Sequence, residues 1–295
     1  MIIDINKIPL GEYHILAMSP TTKPEILLAL LNADNAPWLK KYIVSNPGTP
    51  IDTVLELFKK TQISIKKLTK EISKDKAKNN GYPDYKLVRL HTDQIEILAG
   101  IARNPLLPTG YLESLSKNPS VLVRRNLAVN KMAPADVLEK LSKDRSPSVR
   151  YDVANNPQTP TDVLLFLAKD PDNYIRHLIA SRKDITTELS QLLLGDKDEF
   201  VREALAGNPK VPINLLVSMQ NDILISVRTA LASNPNTPQS ILEKLLLERS
   251  TRIRRAIINN PSTSEAMLLG LEKKKKIPKT LELYYRKRIK SNIHL

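Results

Sequence analysis

Cysteine is absent from the 295 residues, which excludes disulfides, thiolate metal sites and a thiol nucleophile. Glycine is nearly as scarce, with 8 residues, and the catalytic α/β folds that spend glycine on phosphate loops and tight turns fit poorly. Aromatic residues make up only 4% of the chain. No apolar run approaches membrane-spanning length, and the opening stretch MIIDINKIPLGEYHILAMSP carries no signal-peptide pattern, so a soluble cytoplasmic protein without a membrane role is expected. Neither a Gly-rich phosphate loop nor G-x-S-x-G nor H-E-x-x-H occurs, and His14, His91, His177 and His294 lack metal-ligand spacing. The expectation is a protein that is not an enzyme, with no catalytic residue, cofactor, metal or evident small-molecule substrate.

Proline is abundant, at 21 residues, which suits many short helices separated by corners. The formal charge of +14 is unevenly placed. Residues 59–91 hold 10 Lys/Arg against 3 Asp/Glu, and residues 272–295 hold 9 against 2. Everything else balances, 26 against 26, so the basicity belongs to two segments and not to the body of the protein.

That body repeats every 26 residues. An asparagine recurs at Asn104, Asn130, Asn156, Asn208, Asn234 and Asn260, with Arg182 in the one deviant slot. An arginine after Val or Ile recurs at Arg124, Arg150, Arg176, Arg202, Arg228 and Arg254. Six residues before each stands Asn118, Asp144, Asp170, Asp196, Asp222 or Glu248. Earlier corners fall at Asn46 and, degenerately, at Ser19, and the 58 residues from Asn46 to Asn104 read as one repeat split by an insertion. The chain therefore divides into N-terminal repeats at 1–60, a basic insertion at 61–91, regular repeats at 92–271 and a basic cap or tail at 272–295.

Local rules build each unit. In NNPQTPTDVLLFLAKD, Thr159 is placed to cap a helix with Pro160 at its first position and Asp162 in its first turn. Two leucine columns through Leu164 and Leu167 share one helix face. A second short helix, such as PSVRYDVANN, carries Val149 and Val153 four apart beside an alanine column that lets backbones approach. Asn-Pro then ends the unit, because proline disfavours helical geometry in the residue before it and Asn tolerates left-handed backbone. Such a unit cannot bury its own apolar face, so units must stack into an α-solenoid. Trp38 and Leu39, in the early repeats, are expected to be packing residues. The insertion holds Ile63, Ile65, Leu68 and Ile72, enough for part of a helix, and its SKDKAKNNGYPD reads as a flexible turn.

The pattern Asp-x5-Arg, then Val-Ala-x-Asn-Pro-x-Thr-Pro, then Val-Leu-x-x-Leu-Ala-x-Asp, fullest from Asp144 to Asp170, resembles the leucine-rich repeat variant (LRV) family. It is more distantly similar to HEAT repeats. The resemblance covers about 14–60 and 92–271. It implies an all-α, right-handed solenoid of about nine 26-residue two-helix repeats, with α and 3₁₀ helices alternating. The family's unit is usually nearer 24 residues, so both helices here are expected to be fuller. A cysteine-bound iron–sulfur domain found in one founding member cannot be built from this chain.

The arginine column could line a phosphate groove or hold the wall together. A carboxylate column that keeps pace with it would cancel most of its field, so pairs Asp144, Arg150, Asp170, Arg176, Asp196, Arg202, Asp222, Arg228, Glu248 and Arg254 read as a structural ladder. Recognition is expected where position is kept but residue type varies, at Arg125, Tyr151, Tyr174, His177, Phe200, Glu203 and Arg255, with the central aromatics as the hot spot. The reading is a non-catalytic scaffold that binds a protein partner. The alternative is nucleic-acid binding through the insertion and a basic patch of Lys273, Lys274, Lys275, Lys276, Lys279, Arg286, Lys287, Arg288 and Lys290. A HEAT-like DNA glycosylase is a third reading, disfavoured because the repeats net to zero charge.

Overall fold

The computed structural model describes residues 8–33, 36–248, 250–273, 282, 285 and 286, with only the backbone of 271–273 described. Among them are eighteen α-helices and no strand. The chain forms two compact units, Met1–Val163 and Leu164–Leu295. The first contains α1 (Tyr13–Met18), α2 (Pro24–Leu31), α3 (Lys40–Ser45), α4 (Ile51–Lys78), α5 (Tyr85–Arg103), α6 (Thr109–Ser116), α7 (Val121–Ala128), α8 (Ala135–Ser142) and α9 (Pro147–Asn155). The division falls within α10 (Thr161–Leu167). The second unit continues with α11 (Asn173–Ala180), α12 (Thr187–Leu193), α13 (Glu199–Gly207), α14 (Ile213–Ser218), α15 (Ile225–Ser233), α16 (Gln239–Leu246), α17 (Thr251–Asn259) and α18 (Glu265–Lys273).

Each regular repeat is a pair of α-helices, an even-numbered one followed by an odd-numbered one. Both members are α, which fits the longer unit; the 3₁₀ turns among the described residues are three-residue stretches at Leu10–Glu12, at Pro37–Leu39 and, between the two helices of one regular repeat, at Met219–Asn221. Odd helices stack side by side, α5 on α7 on α9 in the first unit and α11 on α13 on α15 on α17 in the second. Their inward Val149, Ile175, Val201, Val227 and Ile253 are fully buried, as are Leu112, Leu138, Leu216 and Leu242 of the even helices, most at 0% exposure. At about 1.5–3 kcal/mol per fully buried aliphatic side chain, stacking supplies the stabilisation that a lone pair of helices lacks.

Two corner residues work differently from expectation. The asparagines are extended, not left-handed: Asn156 has φ −70° and ψ 126°, Asn208 φ −79° and ψ 118°. Each is buried and acts as a stitch. Asn130 Nδ2 donates to the carbonyls of Ala102 and Asn104 in the preceding repeat, at 2.9 and 3.0 Å, while its Oδ1 accepts from Met132 N. Asn208, Asn234 and Asn260 repeat this geometry in the second unit. The threonines of the Thr159 column bond backward, whereas Thr186 caps the following helix α12 by accepting from Leu189 N. Thr159 Oγ1 donates back to the carbonyl of Val153 at 2.6 Å, as Thr49 does to Ile43 and Thr263 to Ile257, satisfying a carbonyl at the end of the previous helix. In the equivalent helices the prolines themselves, Pro50 and Pro238, occupy the N-cap position with extended backbone.

The insertion is not a loop with part of a helix. It lengthens both helices of one repeat, α4 to 28 residues and α5 to 19. Hydrogen bonds tie the turn between them: Asp75 accepts from the Asn79 side chain at 2.9 Å and from Asp84 N at 2.5 Å, and Asp84 caps α5 by accepting from Lys86 N. Asn80 and Gly81 supply the positive φ values, 49° and 90°, that turn the chain. Gly100 in α5 is required for another reason, since a Cβ there would lie 2.2 Å from the Lys41 carbonyl of α3. Of the two early residues read as packing, Leu39 is buried and Trp38 is half exposed, at 48%.

Candidate interaction surfaces

The arginine ladder runs along the N-terminal turns of the odd helices, where the corner before each helix supplies a carboxylate or its equivalent. Arg176 shows the full rung. Its Nε and Nη2 donate to the two oxygens of Asp196 at 2.7 and 2.9 Å, and its Nη1 donates to the carbonyl of Asp170 at 2.8 Å. The carboxylate thus comes from the next repeat and the carbonyl from the arginine's own. Arg202 engages Asp222 and the Asp196 carbonyl in the same way, and Arg228 engages Glu248 and the Asp222 carbonyl. In the first unit Arg124 makes a bidentate pair with Asp144 and bonds the Asn118 carbonyl, and Arg150 Nη1 donates to the Asp144 carbonyl at 2.9 Å. Each aspartate also accepts from the backbone N–H two residues on, such as Ser146, Asp172 and Asp198, which fixes the corner. A fork-to-fork pair of this kind is what guanidinium geometry favours.

Burial alone would push the carboxyls of Asp144, Asp196 and Asp222 up. The arginine hydrogen bond, the backbone N–H and the guanidinium charge together outweigh it and hold all three below the usual carboxylate range. The hydrogen bonds that Arg176, Arg202 and Arg228 donate to these carboxylates likewise raise the arginines against the opposing effect of burial. These charges are consumed inside the wall.

The column has two ends. Before Arg124 the arginine slot holds Leu98, and the carboxylate slot that would serve it, 20 residues on, holds Asn118. A cleft of about 520 Å³ opens there, lined by Leu98 and Asn118 together with Ile65, Lys66, Thr69 and His91. At the other end, Arg254 Nε is buried without a hydrogen-bond partner among the described residues, and its carboxylate slot is Lys274, outside them.

The variable columns have mixed fates. Tyr151, in the first unit, is 40% exposed. In the second, Tyr174 and Phe200 stand at equivalent positions of the neighbouring helices α11 and α13, at 73% and 58% exposure. His177 Nδ1 lies 3.0 Å from the Phe200 carbonyl, so its ring is tied to the adjacent repeat. Glu203 is half-buried and Arg255 exposed. Arg125, read as a candidate recognition residue, has a side chain 46% exposed and pairs with Asp152 of the next repeat, Nε to Oδ2 at 2.6 Å. The 27-residue offset between them, one more than the period, is visible in the sequence once sought.

Of the basic C-terminal patch, Lys274, Lys275, Lys276, Lys279, Lys287, Arg288 and Lys290 lie outside the described residues, and Lys273 closes α18. Arg286 is exposed and pairs with Glu282 at 2.7 Å, while the adjacent Tyr285 is buried, at 4% exposure. No cluster of His, Asp or Glu suited to a metal ion occurs among the described residues, and no helix there is long and apolar enough to cross a membrane.

With this geometry in place, the comparison with solved structures is direct. A leucine-rich repeat variant, described as a novel repetitive protein structural motif, superimposes over 88% of this chain and 88% of its own length, with a TM-score of 0.55 and 20% identity. The fold is LRV-like. At that identity the likeness to the LRV structure concerns the fold alone. No family model matches the sequence, and no curated protein matches it.

Proposed function

We propose that this LRV-like chain is a non-catalytic scaffold that binds a protein partner on the outer face of α11 and α13. The observation that supports this most is the exposure of Tyr174 and Phe200 at equivalent positions of adjacent helices, 73% and 58%, above a layer whose arginines are already neutralised. Two large aromatic rings on rigid neighbouring helices offer apolar area at low entropic cost, which is how interface hot spots are built. His177, held against the Phe200 carbonyl, and the half-buried Glu203 give this face a polar rim.

The test is a comparison of the full chain with a Tyr174→Ala/Phe200→Ala variant, each carrying a photo-crosslinker at position 177. Crosslinking of a discrete protein by the parent chain, lost in the variant while the melting temperature holds, is the expected result. Equal crosslinking by both would remove this face from the function.

A further inference from the structure

We propose that the solvent face of α4 is a docking surface for single-stranded nucleic acid. Along α4, Lys59, Lys66, Lys67, Lys70, Lys74 and Lys78 fall within about a third of the helix circumference at 100° per residue. The opposite side, with Val54, Phe58, Thr61 and Leu68, packs inward against α5. All six lysines are exposed. Of them only Lys67 has a carboxylate within ion-pairing distance among the described residues, Glu71 at a loose 3.9 Å. Lys66, Lys70, Lys74 and Lys78 follow one i, i+4 ridge, each step rising about 6 Å. A flexible strand can meet such a row phosphate by phosphate.

Two further features favour a strand with unstacked bases over a duplex or an acidic protein. At the hairpin turn, past the end of the lysine row, Tyr82 and Tyr85 are 80% and 74% exposed, free faces on which bases can stack. At the base of the row, Lys66 also lines the cleft left by the missing rung. That cleft has an apolar floor of Ile65, Ile95 and Leu98 and a polar wall of Gln62, Asn118 and the bonded pair Thr69–His91. An apolar slot with hydrogen-bonding groups beside a phosphate-binding row is the environment that accepts a splayed-out base. This site lies in the first unit and stands or falls separately from the Tyr174–Phe200 face.

The experiment measures binding of the full chain to a fluorescent mixed-sequence DNA strand of about 20 nucleotides. Its duplex, polyglutamate and anionic phosphatidylserine vesicles are run in parallel. Five phosphate contacts, from Lys66, Lys67, Lys70, Lys74 and Lys78, predict a salt slope near −3.5, so affinity for the strand should fall about 100-fold between 50 and 200 mM salt. Lys66→Glu/Lys70→Glu/Lys74→Glu should weaken binding and flatten that fall to about 7-fold, with two contacts left. Tyr82→Ala/Tyr85→Ala should weaken binding without changing the slope, and Lys274→Glu/Lys275→Glu/Lys276→Glu should leave most of it. Each variant is checked by its thermal melt. The proposal is overturned if the parent chain does not bind the strand at 50 mM salt, or if the α4 triple variant binds it equally. It is also overturned if duplex, polyglutamate or vesicles are preferred over the strand.

Discussion

The arginines of the ladder and the lysines of α4 bear the same charge and meet opposite fates. Arg176 and Asp196 have side chains only 5% and 8% exposed, locked together by two hydrogen bonds with a carbonyl on the third nitrogen. The six lysines Lys59, Lys66, Lys67, Lys70, Lys74 and Lys78 on the solvent face of α4 stand in water with, at most, the loose Lys67–Glu71 contact, whereas Lys60 of the same helix is paired with Glu56. A buried cation must be paired to be tolerated, and once paired its field is spent; an exposed one contributes little to stability and keeps its field for a ligand. The same contrast explains why a formal charge of +14 gives no information until it is placed on the chain.

The comparison breaks hardest at a rung. Arg124→Ala would leave Asp144 buried without its partner, and a loss of about 3–5 kcal/mol is expected, read as a lower urea midpoint. A purely steric change in the wall should cost less: Gly100→Ala forces a Cβ against the Lys41 carbonyl and should destabilise by about 1–3 kcal/mol in the same measurement. Acid sharpens the contrast. The ladder carboxyls titrate below their unfolded values, so their contribution is fully present above about pH 4 and is lost as pH falls through the folded values. A melting temperature that is flat from neutral pH to about 4 and drops as pH falls further is expected. At the small end, Lys274→Glu would restore a carboxylate in the slot 20 residues after Arg254, whose Nε lacks an acceptor among the described residues. A gain of about 0.5–1 kcal/mol in thermal stability should follow.

The 26-residue period made the wall legible, because one buried position per column dictates one residue type. Leu138, Val149 and Arg176 all lie where their columns place them. What the columns could not reveal was direction: a carboxylate at every repeat serves the arginine before it or after it equally well on paper, and only the packing of one odd helix on the next selects the earlier one. The asparagine's role was hidden for the same reason, since its acceptors lie 26 and 28 residues back, across the repeat boundary. In the stretch read as a turn, SKDKAKNNGYPD, the first six residues continue α4 instead, and the turn proper is confined to the residues after Lys78, where Asp75 and Asp84 bind it at both sides. The cleft did leave a trace. Leu98 in an arginine slot and Asn118 in its carboxylate slot are a matched pair of departures, and a rung removed from a packed ladder leaves room.

The most direct test of this division of labour is a thermal melt of Arg176→Ala beside the α4 variant Lys66→Glu/Lys70→Glu/Lys74→Glu at neutral pH and low salt. The ladder variant should melt well below the parent chain, while the α4 variant should fall within about 0.5 kcal/mol of it. A ladder variant that melts with the parent, or an α4 variant that melts as low as the ladder variant, would contradict the account.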